Sequence, residues 1–515
     1  MLRSIDNILN RITMYRLVLY YLILLLAAAA ALSAFGVLSY DPLAIIFSSL
    51  FITAISWGAN TVFAKAFNAH PNTESFLITA LILALIITPP SAVLDPRYLE
   101  LAFWAAVLSQ ASKYVLAIGK KHVFNPAAIA VVVTALALGA SASWWVGTEW
   151  MLPFVAIGGL LTARKILRFD LVLAFFAAAV VSVFASHLGG TLSVSSLLVR
   201  LALDTPIVFF AFVMLTEPLT TPPTRPLRIA YAVLVGLLYA PAVHIGSLYS
   251  TPELALVVGN LFAYFVSPKG KLVLKLREKP NVAADIVDFR FDADRKFAWK
   301  PGQYLEWTLG HKNADSRGNR RYFTINSSPT EAGVAMGVKF YSESSSFKKR
   351  LASLEAGDTI VAGHVAGDFT LPRDAARKLA FIAGGIGITP FRSMAKYLSD
   401  TSHVSDTPVH RDIVLFYSNR SEAEIAYRDI FEEAERRFGM KTVYTLTDKG
   451  GVRSGWGGRT GHINTEMIRE ELPDYRERYF YLSGPHGMVE AFEKTLRKMG
   501  IPRRQIKKDF FPGFA

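Results

Sequence analysis

The sequence predicts two unlike halves: a polytopic α-helical membrane domain of about ten spans, followed by an α/β module in which an antiparallel β-barrel precedes a parallel-sheet domain. Three observations predict this. Apolar runs of spanning length recur about every 25 residues from Leu17 to Val266, and a bilayer core needs about 20 such residues per helix. Residues 1–268 hold 14 Lys/Arg and 10 Asp/Glu against 41 and 31 in 269–515, or about 9% and 29% charged around a globular norm of roughly 25%. Beyond residue 270 the pattern changes to short alternating runs and then to a strand–helix rhythm.

The net charge of +14 divides as +4 and +10, and the basic excess of the second half is mixed with abundant acids. That mixture suits a soluble surface beside an anionic membrane or anionic ligands better than a nucleic-acid patch. The chain has no cysteine. Disulfides, thiolate zinc sites, cysteine-ligated iron–sulfur clusters and thiol nucleophiles are thereby excluded, and no metal site is expected.

Ten spans are expected near 17–38, 42–63, 74–94, 98–117, 124–140, 149–163, 169–187, 198–217, 228–246 and 252–267. Arg3, Arg11, Arg16, Lys65, Lys120, Lys121, Arg164, Lys165, Arg168, Arg225 and Arg228 fall at every second loop, whereas the alternate loops hold essentially only Arg97. The positive-inside rule then puts both termini on the cytoplasmic side of the cell (inner) membrane. Arginines before an apolar, alanine-rich stretch also describe a cleavable signal peptide, but nine further spans in phase with the first favour an uncleaved helix.

Ionisable groups within spans are costly, so Lys113, Asp170, Arg200, Asp204 and Glu217 are functional candidates by default. Lys113 and Asp170 read more simply as helix-end residues that snorkel. Glu217 lies in Thr216-Glu217-Pro218-Leu219-Thr220-Thr221-Pro222-Pro223-Thr224-Arg225, where prolines break a helix and hydroxyls can satisfy the freed backbone. In His122-Val123-Phe124-Asn125-Pro126-Ala127 the asparagine can cap a span. His70 to Ser75 opens another span, which Pro89-Pro90 closes.

With these features the first half resembles the D subunit of Rnf complexes and the B subunit of sodium-pumping NADH:quinone oxidoreductases. The likeness rests on Ser75 to Pro90, Lys121 to Ala127 and Phe212 to Arg225, with Glu217 where the family usually has Asp. It implies a ten-helix redox subunit binding FMN or riboflavin, at which Asn125 and Glu217 are cofactor-binding candidates. The family often attaches FMN to a threonine in a Ser-Gly-Ala-Thr-like motif. Leu203-Asp204-Thr205-Pro206 departs from that motif, and attachment at Thr205 stays open beside non-covalent binding.

The second half follows the last span with no long linker. Alternating runs at Lys271–Leu276, Asp285–Phe291, Tyr304–Leu309, Tyr322–Asn326, Ala335–Tyr341 and Thr359–Gly363, with a helical stretch at Ser346–Leu354, predict the barrel. Then come Leu379–Ala383, Thr389–Leu398, Ile413–Tyr417, Glu422–Arg437, Thr442–Thr447, Asn464–Glu471, Tyr479–Ser483, Met488–Met499 and Ile506–Phe510. That alternation predicts a parallel sheet with nucleotide-binding potential at its strand ends.

Four motifs fall where such binding needs them. On the strand Arg321-Tyr322-Phe323-Thr324-Ile325-Asn326-Ser327, alternation puts 321, 323, 325 and 327 on one face, so a guanidinium, an aromatic ring and a hydroxyl can address one elongated ligand. Arg321 would hold a pyrophosphate, Phe323 would stack on an isoalloxazine ring and Thr324 would hydrogen-bond near its N5. Ser344-Ser345-Ser346 offers amides and hydroxyls to the same pyrophosphate, or plain helix caps. Ala383-Gly384-Gly385-Ile386-Gly387-Ile388-Thr389-Pro390 follows a strand and opens a helix, where missing side chains let a second phosphate approach the backbone. Ser483-Gly484-Pro485-His486-Gly487-Met488 follows a later strand and would put Ser483 beside a nicotinamide.

Across 271–515 these motifs resemble the ferredoxin–NADP reductase superfamily, with Phe323 for its usual tyrosine and Ser483 for its cysteine. The resemblance implies an FAD-binding domain (269–374), an NAD(P)-binding domain (375–515), catalytic roles for Thr324 and Ser483, and a C-terminal aromatic, Phe511 or Phe514, over the flavin. The expected activity is that of an FAD-dependent NAD(P)H oxidoreductase relaying electrons to a flavin or quinone in the domain 1–268, or to other Rnf/Nqr-like subunits. Two alternatives stand beside it: a redox-driven sodium or proton pump using Glu217, and a haem-containing ferric-reductase-like enzyme using His70, His122, His187 or His244. Tyr417-Ser418-Asn419-Arg420 leaves NADH and NADPH equally open.

Overall fold

The computed structural model describes residues 5–6, 9, 12–67, 73–92, 94–119, 121–187, 193–240, 243–246, 248–267, 270–311, 315, 318–402, 411–448 and 454–509. The chain divides into two compact units, Met1–Gly270 and Lys271–Ala515.

In the first unit helical segments stand wherever a span is expected: Met14–Ala34, Pro42–Ala66, Thr73–Ile86, Pro96–Val115, Pro126–Leu138, Leu152–Ile166, Phe169–Ser186, the pair Val194–Leu203 and Ile207–Met214, Arg225–Leu238 and Pro252–Val266. Their starts are written locally. Asp41, Asp95, Asn125 and Thr251 each cap a helix with a side-chain oxygen, and each is followed by proline in the first turn, where a missing amide costs nothing.

The expectation of about ten spans needs correction. Among the described residues three helices, Met14–Ala34, Pro42–Ala66 and Phe169–Ser186, are long and apolar enough to cross a membrane, or four if the bent pair counts as one span. The rest fall short for physical reasons. Pro126–Leu138 has 13 residues, about 20 Å of helix against a hydrocarbon core of about 30 Å. Pro96–Val115 has the length but carries Arg97, Glu100 and Lys113. The pair Val194–Leu203 and Ile207–Met214 bends by 67° across Asp204-Thr205-Pro206, where proline cannot continue the helix. A π-helical turn at Phe210–Met214 then leads into the Thr216-Glu217-Pro218 break.

Lys113 and Asp170 serve structure, as read. Lys113 Nζ donates to the Ser75 carbonyl at 2.9 Å, and Asp170 pairs with Arg225 and Arg228 at 3.3 and 3.5 Å. The helices Phe169–Ser186 and Arg225–Leu238 meet at Gly236, where an added Cβ would lie 2.7 Å from both the Phe175 carbonyl and the Ala178 side chain. Gly236→Val should therefore destabilise the first unit by about 1–3 kcal/mol through overpacking, read as a lower melting temperature in detergent with the reductase unit's own transition unmoved.

The second unit holds two sheets. In the first, the order is Val334–Lys339, Ile286–Ala293, Leu272–Glu278, Thr359–Ala366, Tyr304–Thr308 and Arg320–Thr324, all antiparallel, with the short strand Asn281–Ala283 also on Ile286–Ala293. The Asn326 amide donates to the Ala335 carbonyl at 3.0 Å, which joins the two ends of the path and curls the sheet toward a barrel around Phe289, Phe291, Trp307 and Phe347. The second sheet is parallel, in the order Arg459–Thr460, Lys441–Leu446, Ile413–Asn419, Leu379–Gly384, Tyr479–Ser483 and Ile506–Asp509. Its strand order reverses between Leu379–Gly384 and Tyr479–Ser483, the topological switch point of an open α/β sheet.

Three boundaries differ from expectation. The strand expected at Tyr322–Asn326 runs over Arg320–Thr324, two residues earlier. The helix expected from Glu422 begins only at Arg428, because Tyr427 adopts φ +59° in the left-handed region. Asn281–Ala283 and Arg459–Thr460 pair although they are too short to show a period of two.

Candidate functional site

The switch point gathers the two glycine loops. Leu379–Gly384 ends in a tight 3-10 turn, Gly385–Ile388, which runs into the helix Thr389–Thr401 with Pro390 in its first turn. Tyr479–Ser483 ends beside it and feeds the helix His486–Lys498 through Gly484 and Pro485. A Cβ on Gly387 would overlap the Ser483 carbonyl, and one on Gly384 would overlap the Met488 thioether. Gly385 differs: at φ +51°, a Cβ there would meet nothing within 4 Å. Gly384, Gly387, Ser483, Gly484 and Met488 are thus mutually packed, and Gly385 faces open space at the mouth of the crevice, where a phosphate group fits against bare backbone.

On the barrel, Arg321 is buried and its guanidinium lies 5.2 Å over the Phe347 ring. Its Nη1 donates to the carbonyls of Gly318 (3.2 Å) and Arg320 (2.7 Å), and its Nη2 lies 3.9 Å from the Asp315 carboxylate. The other oxygen of that carboxylate accepts from the Ser346 amide at 2.9 Å. The Arg321 guanidinium and the Ser346 amide therefore both face the Asp315 carboxylate. Phe323 follows Arg321 on the same side of the strand and packs toward Phe347, ring centroids 6.1 Å apart. Thr324 is buried and falls on the alternate face with Tyr322, whose hydroxyl donates to Glu306 at 2.7 Å. One strand thus brings Arg321 and Phe323 together and turns Thr324 the other way.

The serines serve their own loops. The Ser345 hydroxyl caps the helix Ser346–Ala352 by accepting from the Lys348 amide. The Ser346 hydroxyl accepts from the Asp315 amide at 2.9 Å and pairs with His311 Nε2 at 3.0 Å. The Ser327 hydroxyl accepts from the Ala335 amide at 3.0 Å. Phe511 and Phe514 lie outside the described residues.

Sequence reasoning missed Asp509. The parallel ladder sets it opposite Ser483, at the edge of the switch-point crevice, and burial pushes its carboxyl up to about 7. A strand register is the only signal that could have found it.

In the helical unit Asn125 and Glu217, 92 residues apart in sequence, meet. Asn125 Nδ2 donates to Glu217 Oε2 at 3.0 Å, the Thr220 hydroxyl to the same oxygen at 3.1 Å, and His122 Nε2 lies 3.3 Å from Oε1. Asn260 supports the cluster, its Oδ1 accepting from the Asn125 amide at 2.7 Å and its Nδ2 donating to the Tyr231 hydroxyl at 3.3 Å. His187 and His244 are engaged instead with backbone carbonyls. Glu253, buried and accepting from Trp144 Nε1 at 3.0 Å, was missed because a glutamate in a first turn reads as ordinary helix chemistry. Thr205 lies apart from this cluster. Its hydroxyl donates to the Leu201 carbonyl at 2.6 Å, in a small crevice lined by Val146, Gly147, Leu152, Pro206 and Phe209.

A family model described as the oxidoreductase NAD-binding domain matches residues 381–494. The second half is similar to the glycine betaine monooxygenase reductase subunit of Pseudomonas aeruginosa (strain UCBPP-PA14), 28% identical over 238 residues that cover 44% of this chain and 60% of the relative. It is also similar to NADH-cytochrome b5 reductase 1 of Aspergillus terreus, 29% identical over 240 residues that cover 45% of this chain and 79% of that one. The crystal structure of Amycolatopsis cytochrome P450 reductase GcoB aligns at 24% identity and a TM-score of 0.41, covering 47% of this chain and 69% of that one. The chain spans about 60% of the length of the glycine betaine relative.

Sheet order, paired glycine loops and sequence likeness together define a ferredoxin–NADP reductase-like NAD-binding domain behind a β-barrel. Within the second unit residues 381–494 match an oxidoreductase NAD-binding domain, and the unit is similar to the reductases named above.

Two outcomes follow. Arg321→Ala should weaken FAD binding by about 10- to 100-fold, the loss of one charge-assisted contact of roughly 1.5–3 kcal/mol. Asp315→Ala should strengthen it by removing the competing anion, and flavin fluorescence titration reads both. Asp509 sets a pH dependence: its folded value lies above its ordinary 3.8, so its stabilising proton is fully present below about pH 4 and is lost as pH rises through about 7. Thermal melts at pH 5 and 8 should differ less in Asp509→Asn than in the unaltered protein.

Proposed function

We propose that the chain is a membrane-bound NAD(P)H dehydrogenase in which residues 269–374 bind FAD, residues 375–515 bind NAD(P)H, and residues 1–268 form an Rnf/Nqr-like multi-pass domain that takes the electrons. Both termini and the reductase module lie on the cytoplasmic side of the inner membrane. The observation that carries the reading is the shared hold of Arg321 and the Ser346 amide on one anion, in the unit whose switch point opens Gly385 to a second phosphate.

Arg321 and the Ser345-Ser346 turn would take the FAD pyrophosphate in place of Asp315, Phe323 would flank the ring system and Ser327 would brace the loop, with Thr324 on the opposite face of the strand. Gly384, Gly385, Gly387, Thr389 and Pro390 would expose backbone to the nicotinamide dinucleotide. Gly484, Pro485 and Met488 would shape the nicotinamide pocket, with Ser483 at the reacting edge and Phe511 or Phe514 covering the flavin. Bound FAD supplies acceptance of two electrons as hydride and their release one at a time. The near-neutral carboxyl of Asp509 can hold or give up a proton beside Ser483 at physiological pH.

For the acceptor, His122, Asn125 and Thr220 are hydrogen-bonding groups ranged around Glu217. A quinone carbonyl requires such groups. The names of the relatives, a monooxygenase reductase subunit and a cytochrome b5 reductase, also support a separate redox partner downstream. A second reading, a redox-driven sodium or proton pump, is favoured by the same carboxylate, since an ionisable side chain kept among membrane helices is costly unless used.

The test is anaerobic addition of NADH or NADPH to the purified full-length protein in detergent, with and without a short-chain quinone. Bleaching of the 450 nm flavin band followed by quinone-dependent reoxidation is expected. Reoxidation that is no faster with quinone, and equally slow in Glu217→Gln, would remove the membrane site from the pathway. In sealed liposomes, uptake of sodium or protons coupled to that turnover distinguishes the pump.

A further inference from the structure

The flavin motif and the nicotinamide loop lie on different sheets, so something must fix the distance across which hydride passes. The strand carrying Arg321, Phe323 and Thr324 ends at Thr324, and the next residues stay bonded to the barrel through the Asn326 amide and the Ala335 carbonyl. The Asn326 carbonyl accepts from Arg392 Nη1 at 3.0 Å, and the Ser327 carbonyl accepts from the Ser393 hydroxyl at 2.7 Å. Arg392 and Ser393 stand in the first turn of the helix that Gly385–Ile388 opens, three and four residues beyond Thr389.

A buried polar knot backs these two bonds. Asn326 Nδ2 donates to Asp288 Oδ1 at 2.5 Å and to the Tyr427 hydroxyl at 2.8 Å, and Tyr427 donates to the same Asp288 oxygen at 3.0 Å. Asp288 and Asn326 are 1% and 0% exposed. The other Asp288 oxygen takes Arg290 Nε at 3.1 Å. Arg392 grips Glu331 with both terminal nitrogens and lies 5.7 Å over the Tyr427 ring. Burial, and then the Asp288 charge, hold the Tyr427 phenol well above its usual range, so it remains a hydrogen-bond donor at any working pH.

The fold bends to build this knot. Tyr427 sits at φ +59°, a strained conformation for a bulky residue that persists only where its surroundings demand it. It also delays the following helix to Arg428. Opposite it, Gly337 leaves the room, since an added Cβ would lie 2.6 Å from the Tyr427 hydroxyl. An apolar contact would hold two domains together more cheaply than buried charge. A directional network instead fixes their angle.

We propose that Asp288, Asn326, Arg392 and Tyr427 form a positioning clasp that sets the approach of the nicotinamide loop to the flavin motif, and with it the rate of hydride transfer. The proposal rests on the reading of this unit as a hydride-transferring flavoprotein. Misplacement by about 1 Å costs such a step of order 100-fold. Tyr427→Phe keeps the ring and removes only the hydroxyl, and Ser393→Ala removes one bond of the pair.

In the full-length protein the expected result for Tyr427→Phe is a 10- to 100-fold slower flavin reduction in anaerobic stopped flow. Its deuterium isotope effect with 4-deuterated NADH should rise, with bound FAD per chain and the KM for nicotinamide unchanged. Ser393→Ala should fall between. In the FAD-free protein, amide hydrogen exchange in 324–331 and 389–395 should accelerate about tenfold in Tyr427→Phe while the strand Ile413–Asn419 holds its rate. Unchanged hydride transfer in both variants would overturn the clasp, as would a rate loss that tracks lost FAD. Failure of the unaltered protein to be reduced by either nicotinamide would instead sink the underlying reading.

Discussion

Where Gly387 crosses the end of the strand Tyr479–Ser483, the backbones approach so closely that one methyl carbon would overlap the Ser483 carbonyl. This contact fixes the order of events in the reductase unit. It forces the 3-10 turn at Gly385–Ile388, which aims the helix Thr389–Thr401, which in turn carries Arg392 and Ser393 to the barrel. Nothing larger than glycine permits the first step, so the later ones inherit its geometry. The open side of the turn, at Gly385, is the complement of that constraint. Backbone packed on one side has bare amides on the other.

Charge is handled in the same way throughout the second unit. Arg478 is buried against Asp412 and Asp474, and Arg392 against Glu331, because a buried guanidinium without a carboxylate costs several kcal/mol. Burial alone would raise the Asp474 carboxyl, but the Arg478 and Lys378 hydrogen bonds outweigh it and leave that carboxyl below its usual range. Asp509 shows the opposite outcome. It has burial without a compensating cation, and its carboxyl rises toward neutrality.

Legibility in the sequence followed the range of the physics involved. Helix starts were plain because proline and a capping side chain sit within three residues of one another, as at Asp95-Pro96 and Asn125-Pro126. The glycine loops were plain because their constraint is local. The meeting of Asn125 with Glu217 was half legible: each broke an apolar pattern, yet only the fold joins them across 92 residues. Asp315, Asp509 and Tyr427 were illegible. The first acts through a loop contact, the second through a strand register, the third through a backbone angle that no side-chain pattern announces. Span number was overread, because an apolar run and a helix long enough to cross a bilayer are different quantities. Pro126–Leu138 satisfies the first and not the second.

The missing cysteines give these observations a common direction. Without thiolates the chain cannot ligate an iron–sulfur cluster through cysteine, so on the proposed reading electrons entering at the switch point move through organic carriers or leave for another protein. Organic carriers couple electrons to protons, and ionisable side chains stand at both candidate ends: Asp509 beside Ser483, and Glu217 with His122 in the helical unit. Between them the strand Leu272–Glu278 begins six residues after the helix Pro252–Val266 ends. A chain that conducted electrons through metal would need no such groups. One that moves hydride at one site and reduces a quinone at another needs both, because each two-electron step there takes up or releases protons.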